Sequence, residues 1–356
     1  MPYQWDVDPQ ELFGERYAQM VVTGLPAADL DAVRAAITAM WPDAPGGWVY
    51  EWSRLAAGYA AVGAHPLASL AYGWAKFPTL ADTAKCAALA NQIEQYELAA
   101  PGFGVGFRRE VLALSHQGAT TAVPVHVFTP SGLPADRPVV IVGGGVDTWK
   151  TDLHSLLVAL AVGLRVRVVA FDIAGTGESS VPLTPDGGAE IVRGLTARAR
   201  ALGNGVVAHL GISMGGYYSA RSGLAGEVDA AVVLGGLVEA AAARPPSRFG
   251  VTDIIGNAMG FDRRPAAAEV AERFAAFDLR PLLDQDLNAP MLVVNGADDI
   301  HVPQHDTLVF RGRRDTEVHL LADSGHCALS RMDEVFPLIL DWLRRTLDGP
   351  AEGPTR

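Results

Sequence analysis

The chain has 356 residues, 49% of them hydrophobic, and a formal net charge of −12. That length suits one large domain or two modest ones with a real core. The acidic balance argues against nucleic acid, which calls for a basic face, and disfavours an anionic membrane surface. Cys86 and Cys327, far apart, form neither a disulfide framework nor a CxxC metal pattern, so a reducing, cytoplasmic compartment is expected. No uninterrupted apolar run of about 18 residues occurs, so no membrane span is expected. The start, Met1 to Asp8, lacks the basic patch and apolar stretch of a signal peptide.

Residues from about 9 to 100 read as helical. Pro26 opens a run with Leu30, Val33, Ile37 and Met40 at helical spacing. Further helices are expected over Trp48 to Val62, over Leu67 to Phe77 before Pro78, and over Leu80 to Ala99 before Pro101. Five of the seven tryptophans lie within the first 100 residues: Trp5, Trp41, Trp48, Trp52 and Trp74. They read first as the packing of a helical core, and such a layer can also wall a pocket for an apolar or aromatic substrate.

After Gly102 to Gly106 the period changes to two. Phe107 to Ser115 and Thr121 to Thr129 alternate as strands about a Gln117-Gly118 turn. Pro138 to Gly143, Val166 to Phe171, Val206 to Leu210, Val228 to Leu234, Pro290 to Asn295 and Glu317 to Leu321 are short apolar strands. Helices are expected between them, over Thr151 to Val162 and Gly188 to Leu202, and at the end over Asp333 to Leu347. This alternation predicts an α/β fold with a mostly parallel, doubly wound sheet, made mixed by its opening hairpin. It stops between about 237 and 288, where Arg244-Pro245-Pro246 and Arg263-Arg264-Pro265 flank helical stretches around Val251 to Met259 and Pro265 to Phe277. The expected organisation is a helical lid domain over 1–105 and a catalytic domain over 106–348, with that insertion pairing with the lid. The tail from Asp348 to Arg356 is expected to fray.

The chemistry centres on Gly211-Ile212-Ser213-Met214-Gly215, between an apolar strand and a small-residue helix. Gly-x-Ser-x-Gly in that context is a nucleophile elbow. The glycines remove Cβ atoms that would collide in a sharp turn, which lifts the Ser213 hydroxyl above the strand ends. Met214 then opens a helix, where its free amide meets a developing oxyanion. A serine needs a base, and the base needs an orienting acid. Asp299 lies in the loop after Val293 to Gly296, with Asp298 as the adjacent alternative; His326, in Ser324-Gly325-His326, follows the next strand. Ser, Asp, His in that order is the order of an α/β-hydrolase triad. Among the other histidines, His116, His209 and His319 read as structural, His301 and His305 as exposed neighbours of the acid loop, and His154 as facing solvent on its helix. The second oxyanion donor is expected from Gly143-Gly144-Gly145-Val146, through the amide of Gly145 or Val146. No Lys-Ser/Thr follows these glycines, and Gly175-Thr176-Gly177 lacks a third glycine, so neither a P-loop nor a dinucleotide fingerprint is present. No cofactor and no metal are expected.

Together, Asp172-x-x-Gly175-x-Gly177-x-Ser179, the elbow, and the acid and base loops resemble the α/β-hydrolase superfamily, from about Phe107 to Leu347. Ala71 to Pro78 and Gly143 to Lys150 resemble its subfamily with an N-terminal helical lid. That group includes 2,6-dihydroxypseudooxynicotine hydrolase, fungal pigment polyketide-shortening hydrolases and fermentation/respiration switch proteins. The resemblance implies cofactor-free cleavage of esters, or of carbon–carbon bonds beside carbonyls. It also implies an additional acid, for which Glu239 is the nearest candidate. Similar enzymes of tetronate antibiotic pathways eliminate acetate instead of hydrolysing it. The leading expectation is a serine-nucleophile enzyme for an acylated or β-dicarbonyl, polyketide-derived small molecule. An acetate-eliminating lyase and a non-catalytic binding protein on the same scaffold are the alternatives. A homodimer is compatible with the sequence.

Overall fold

The computed structural model describes residues 3–239 and 250–347. The expected break at Arg244-Pro245-Pro246 and the tail beyond Leu347 lie outside the described residues. The chain divides into two compact units, residues 3–104 with 250–270, and residues 105–239 with 271–347.

The first unit is built on five helices: α1 (Pro9–Val22), α2 (Ala27–Ala36), α3 (Trp48–Ala61), α4 (His65–Lys76) and α5 (Thr83–Ala99). Asp8 caps α1 by accepting from the Gln10 and Glu11 amides, and Asp82 caps α5 by accepting from the Lys85 amide. Trp48 and Trp52, one turn apart on α3, are fully buried, and Phe13 of α1 stacks on Trp52 at 5.6 Å. The Trp48 Nε1–H donates to the Trp74 carbonyl at 2.6 Å, which ties α3 to α4. Trp48 and Trp52 therefore serve the core of this unit. From far along the chain, the helix Val251–Ala258 joins the same unit. Tyr3 Oη donates to the Asp253 carbonyl (2.9 Å) and Thr79 Oγ1 to Asn257 Oδ1 (2.6 Å).

One helix is shorter than its periodicity predicts. The apolar spacing runs to Met40, but α2 ends at Ala36 and Ile37 is already extended. Ala39 instead bridges to Gly47, and the Thr38 and Ala39 amides both donate to the Gly46 carbonyl. Ile37 and Met40 are buried all the same, held by the loop. Tertiary pairing has overridden a local pattern that remained correct about burial.

The second unit is organised on eight strands: β1 (Gly106–His116), β2 (Ala119–Thr129), β3 (Val139–Gly143), β4 (Arg167–Phe171), β5 (Val207–Ile212), β6 (Ala230–Leu234), β7 (Met291–Gly296) and β8 (Thr316–Leu321). Their order across the sheet is β1-β2-β4-β3-β5-β6-β7-β8. β2 runs antiparallel to β1 and β4, and every pairing from β4 to β8 is parallel. The hairpin turns at Gln117 (φ 49°) and Gly118 (φ 76°), the two left-handed positions that a tight two-residue turn requires. Every residue of β3, β6 and β7 is buried, as parallel strands covered on both faces demand. The covering helices include α6 (His154–Leu164), which packs with the final helix Met332–Leu347, and α7 (Pro185–Leu202), which packs with α8 (Met214–Leu224). Parallel strands end at one edge, and in register Gly143 of β3 sits beside Gly211 of β5. The loops after β3, β5, β7 and β8 are thereby gathered at that edge.

Candidate active site

The turn from β5 into α8 places Ser213 at φ 56° and ψ −119°, a backbone conformation that side chains with a Cβ rarely adopt. The Ser213 amide donates to the Leu234 carbonyl (2.8 Å) and the Gly215 amide to the Gly144 carbonyl (3.0 Å), so the end of β6 and the loop after β3 hold the strained turn. A Cβ on Gly215 would lie 2.5 Å from both the Gly143 and Gly144 carbonyl oxygens, and one on Gly211 would run into the Gly215 carbonyl. Both elbow glycines are thus dictated by close backbone approach.

Three residues far apart in sequence meet here. His326 Nε2 lies 2.8 Å from Ser213 Oγ, and His326 Nδ1 lies 2.7 Å from Asp299 Oδ2. Asp299 receives two further hydrogen bonds, from the Asn295 side-chain amide (2.8 Å) and the His301 backbone amide (2.7 Å). Its side chain is 1% exposed, whereas Asp298 is an exposed residue. Of the two adjacent aspartates, Asp299 is the one brought to His326.

The electrostatics follow from these contacts. Burial alone would push the Asp299 carboxyl up, but the His326 hydrogen bond and charge, with the Asn295 and His301 donors, outweigh it and hold it below the usual aspartate value. For His326, burial opposes the charged form, while Cys327 and Asp299 favour it; the net direction is well above the usual histidine value. The Cys327 Sγ donates to the Leu234 carbonyl at 3.4 Å. The Asp299 carboxylate, hydrogen-bonded to Nδ1, is one of the groups that favour the charged ring.

The amides near Ser213 divide clearly. Gly145 packs against the serine, and a Cβ there would lie 3.4 Å from Ser213 Oγ. Its amide, however, donates to the Thr148 carbonyl at 3.0 Å. Among the described residues the amides of Met214 and Val146 make no such bond. Of the two loop amides suggested by the sequence, Val146 is the one left available to an oxyanion beside Met214.

Glu239 is not joined by a hydrogen bond to Ser213, His326 or Asp299 among the described residues. It bridges to Asp278, and its carboxylate pairs with Arg280 at 3.0 Å, both side chains being about half exposed. His305 is exposed as expected, but His301 is not: its half-buried ring meets the His326 ring edge-on at 5.2 Å. His154 is also more enclosed than expected, and burial pushes its pKa down. His209 is fully buried against Ser222 Oγ (2.9 Å), and its pKa is pushed down to about 3 by burial.

Asn295 was invisible to motif reasoning, where it is only the polar end of an apolar strand. Its amide nitrogen holds Asp299 while its carbonyl oxygen accepts from the Cys327 amide at 3.0 Å, so it stitches the acid loop to the base loop. Among the described residues no group of His, Cys, Asp and Glu could hold a metal ion. A shallow groove lined by Phe107, Arg108, Thr129, Arg167 and Leu202 lies at the opposite end of the strands from Ser213.

A mostly parallel eight-stranded sheet with a strained serine after its central strand, and an aspartate and a histidine after later strands, defines an α/β-hydrolase. Within that class the chain belongs to the FrsA-like esterase family, whose model matches residues 36–343, and it is accordingly a hydrolytic α/β enzyme. Among solved structures it is similar to 2,6-dihydroxy-pseudo-oxynicotine hydrolase, with 21% identity over 95% of this chain and 98% of that one and a TM-score of 0.73. It is similar to wild-type AbyA5 at 19% identity over 96% and 98% of the two chains, with a TM-score of 0.77. A thermostable esterase from Pseudomonas putida matches less fully, with 15% identity over 74% of this chain and 91% of that one and a TM-score of 0.51. Comparison with curated protein sequences found no match. No described helix is long and apolar enough to cross a membrane.

Proposed function

We propose that Ser213 is the nucleophile of a cofactor-free acyl-transfer reaction on a small molecule, with His326 as base and Asp299 as its orienting acid. The observation that carries this reading is the unbroken hydrogen-bond chain Ser213 Oγ, His326 Nε2, His326 Nδ1, Asp299 Oδ2. Ser213 Oγ attacks the carbonyl carbon while His326 takes its proton. Asp299 keeps Nδ1 protonated in the resting state and stabilises the imidazolium that forms. The amides of Met214 and Val146 donate to the oxyanion, each contributing on the order of 3 kcal/mol at the transition state. His326 then returns the proton to the leaving group, and water resolves the acyl-enzyme. Glu239, engaged by Arg280, is given no part.

The substrate class is an acylated or β-dicarbonyl compound, polyketide-derived and apolar or aromatic in part. It rests on the likeness of Ala71–Pro78 and Gly143–Lys150 to the lidded subfamily, and a full-length structural likeness to a pseudo-oxynicotine hydrolase is consistent with it. The helical unit would act as the lid, and the enzyme would work in the cytoplasm. Mass spectrometry of products from an acetylated tetronate, a β-diketone and p-nitrophenyl acetate tests this reading, with Ser213→Ala alongside. A hydrolysed ester or cleaved diketone, absent with the variant, is the expected result. Loss of acetic acid to give an alkene would make the enzyme a lyase instead, and full turnover by Ser213→Ala would remove the nucleophile.

A further inference from the structure

The loop that carries the Val146 amide ends at Lys150, and Lys150 is held by buried charge. Its side chain is 1% exposed and pairs with two acids, Asp172, itself 3% exposed, and Glu178 (Oε2 at 2.8 Å). Asp172 Oδ1 also accepts from the Lys150 backbone amide, and Asp172 Oδ2 from the Glu178 backbone amide, both at 2.9 Å. Arg109 of β1 pairs with Glu178 from the outer, more exposed side. The sequence motif Asp172-x-x-Gly175-x-Gly177 finds its reason here. Gly177 has φ 51° and lies so close to the Asp172 carboxylate that a Cβ would overlap it. The motif folds the segment after β4 back over its own aspartate.

Such a cluster is an inefficient way to add stability, since apolar groups of the same volume do as well or better. What it fixes is the position of Lys150, and through it a braced loop. The Trp149 indole, next to Lys150, donates to the Val146 carbonyl at 3.1 Å, and the Gly145 amide donates to the Thr148 carbonyl at 3.0 Å. The peptide unit that contains the Val146 N–H lies between these two anchored units, so its direction is set from both sides.

We propose that Lys150 and Asp172 are positioning residues that aim the Val146 amide at the oxyanion formed on Ser213. This rests on the serine-nucleophile reading above. Its subject is a transition-state contact made through the loop, neither residue touching substrate. Displacing one donor from its aim lowers the rate without weakening ground-state binding.

The test uses the full chain with p-nitrophenyl acetate as substrate and an aryl trifluoromethyl ketone, which forms an oxyanion adduct on an active serine. Asp172→Asn keeps the shape and removes the charge. It is expected to lower kcat by about ten- to a hundredfold, and the ketone affinity by the same factor. KM should stay within about twofold, the signature of a transition-state interaction. A protein with a lowered Tm but wild-type kcat and ketone affinity would show the cluster to be purely structural and would overturn the proposal, as would a change confined to KM. Should Asp172→Asn not fold, Glu178→Gln decides. A parallel fall in kcat and ketone affinity supports the proposal, and wild-type values of both overturn it. Failure of the underlying reading is seen separately, because Ser213→Ala would then still turn over the ester.

Discussion

The two sides of the proposed catalytic edge are held by different physics. On one side, the elbow and the β3 loop are fixed by bare backbone contact at Gly211 and Gly215 and by the buried charges of Lys150, Asp172 and Glu178. On the other, the acid and base loops are tied by a neutral side chain, Asn295, with help from the His301 amide. The first side presents backbone donors, whose direction a rigid frame must set. In the proposed reaction the second presents side chains that pass a proton, whose ionisation must remain adjustable. A fixed cation beside His326 would depress its pKa, whereas an amide orients Asp299 without changing the local charge. The comparison suggests that fixed charge is placed where geometry alone matters and neutral hydrogen bonds where a titrating group works.

Substitutions can break this comparison at either side. The largest effect is expected from Ser213→Ala, which should lower kcat for p-nitrophenyl acetate by about 10⁴- to 10⁶-fold in steady-state assays, with Tm little changed. Asp299→Asn should follow, at about 10⁴-fold in kcat. It should also move the pH profile. His326 works as a base only when neutral, and its raised pKa puts the acid limb of the wild-type kcat/KM profile above the usual histidine value. Removing the Asp299 anion removes one of the groups that raise it, so the acid limb of the variant should shift to lower pH; a shift upward would contradict the assignment.

Smaller effects separate the two sides. Gly215→Ala forces a methyl group against two carbonyl oxygens and should cost about 1–3 kcal/mol in denaturant unfolding, with activity falling in the folded fraction as well. Asn295→Ala leaves Asp299 and the Cys327 amide each short of a partner. It should destabilise by about 1–3 kcal/mol and lower kcat less than Asp299→Asn does. Asp298→Asn, at an exposed position, should leave kcat within about twofold of wild type, and a large loss there would move the acid to the other aspartate.

What the sequence made legible follows from the range of each interaction. The alternation of strands and helices, the elbow, and the acid and base loops are local patterns, each written within about ten residues. Asp299 was separated from Asp298 only by the fold, because both follow the same strand and one residue of turn decides which side chain faces His326. The choice between Gly145 and Val146 likewise depended on one hydrogen bond, to Thr148, that no spacing encodes. Asn295 reaches the Cys327 amide 32 residues on and Lys150 reaches Asp172 22 residues on, and neither carries a local signature. The same limit explains α2, whose apolar period continued past the point where pairing of Ala39 with Gly47 turned the chain. His301, read as an exposed neighbour of the acid loop, proved to rest against His326 for the same reason.

The measurement that tests the central claim most directly is the intact mass of the protein quenched during turnover of p-nitrophenyl acetate at acidic pH, followed by peptide mapping. A covalent intermediate on Ser213 predicts a transient gain of one acetyl group, confined to the peptide that contains Ser213 and missing from Ser213→Ala. Steady turnover with no adduct on that peptide, undiminished in the variant, would contradict it.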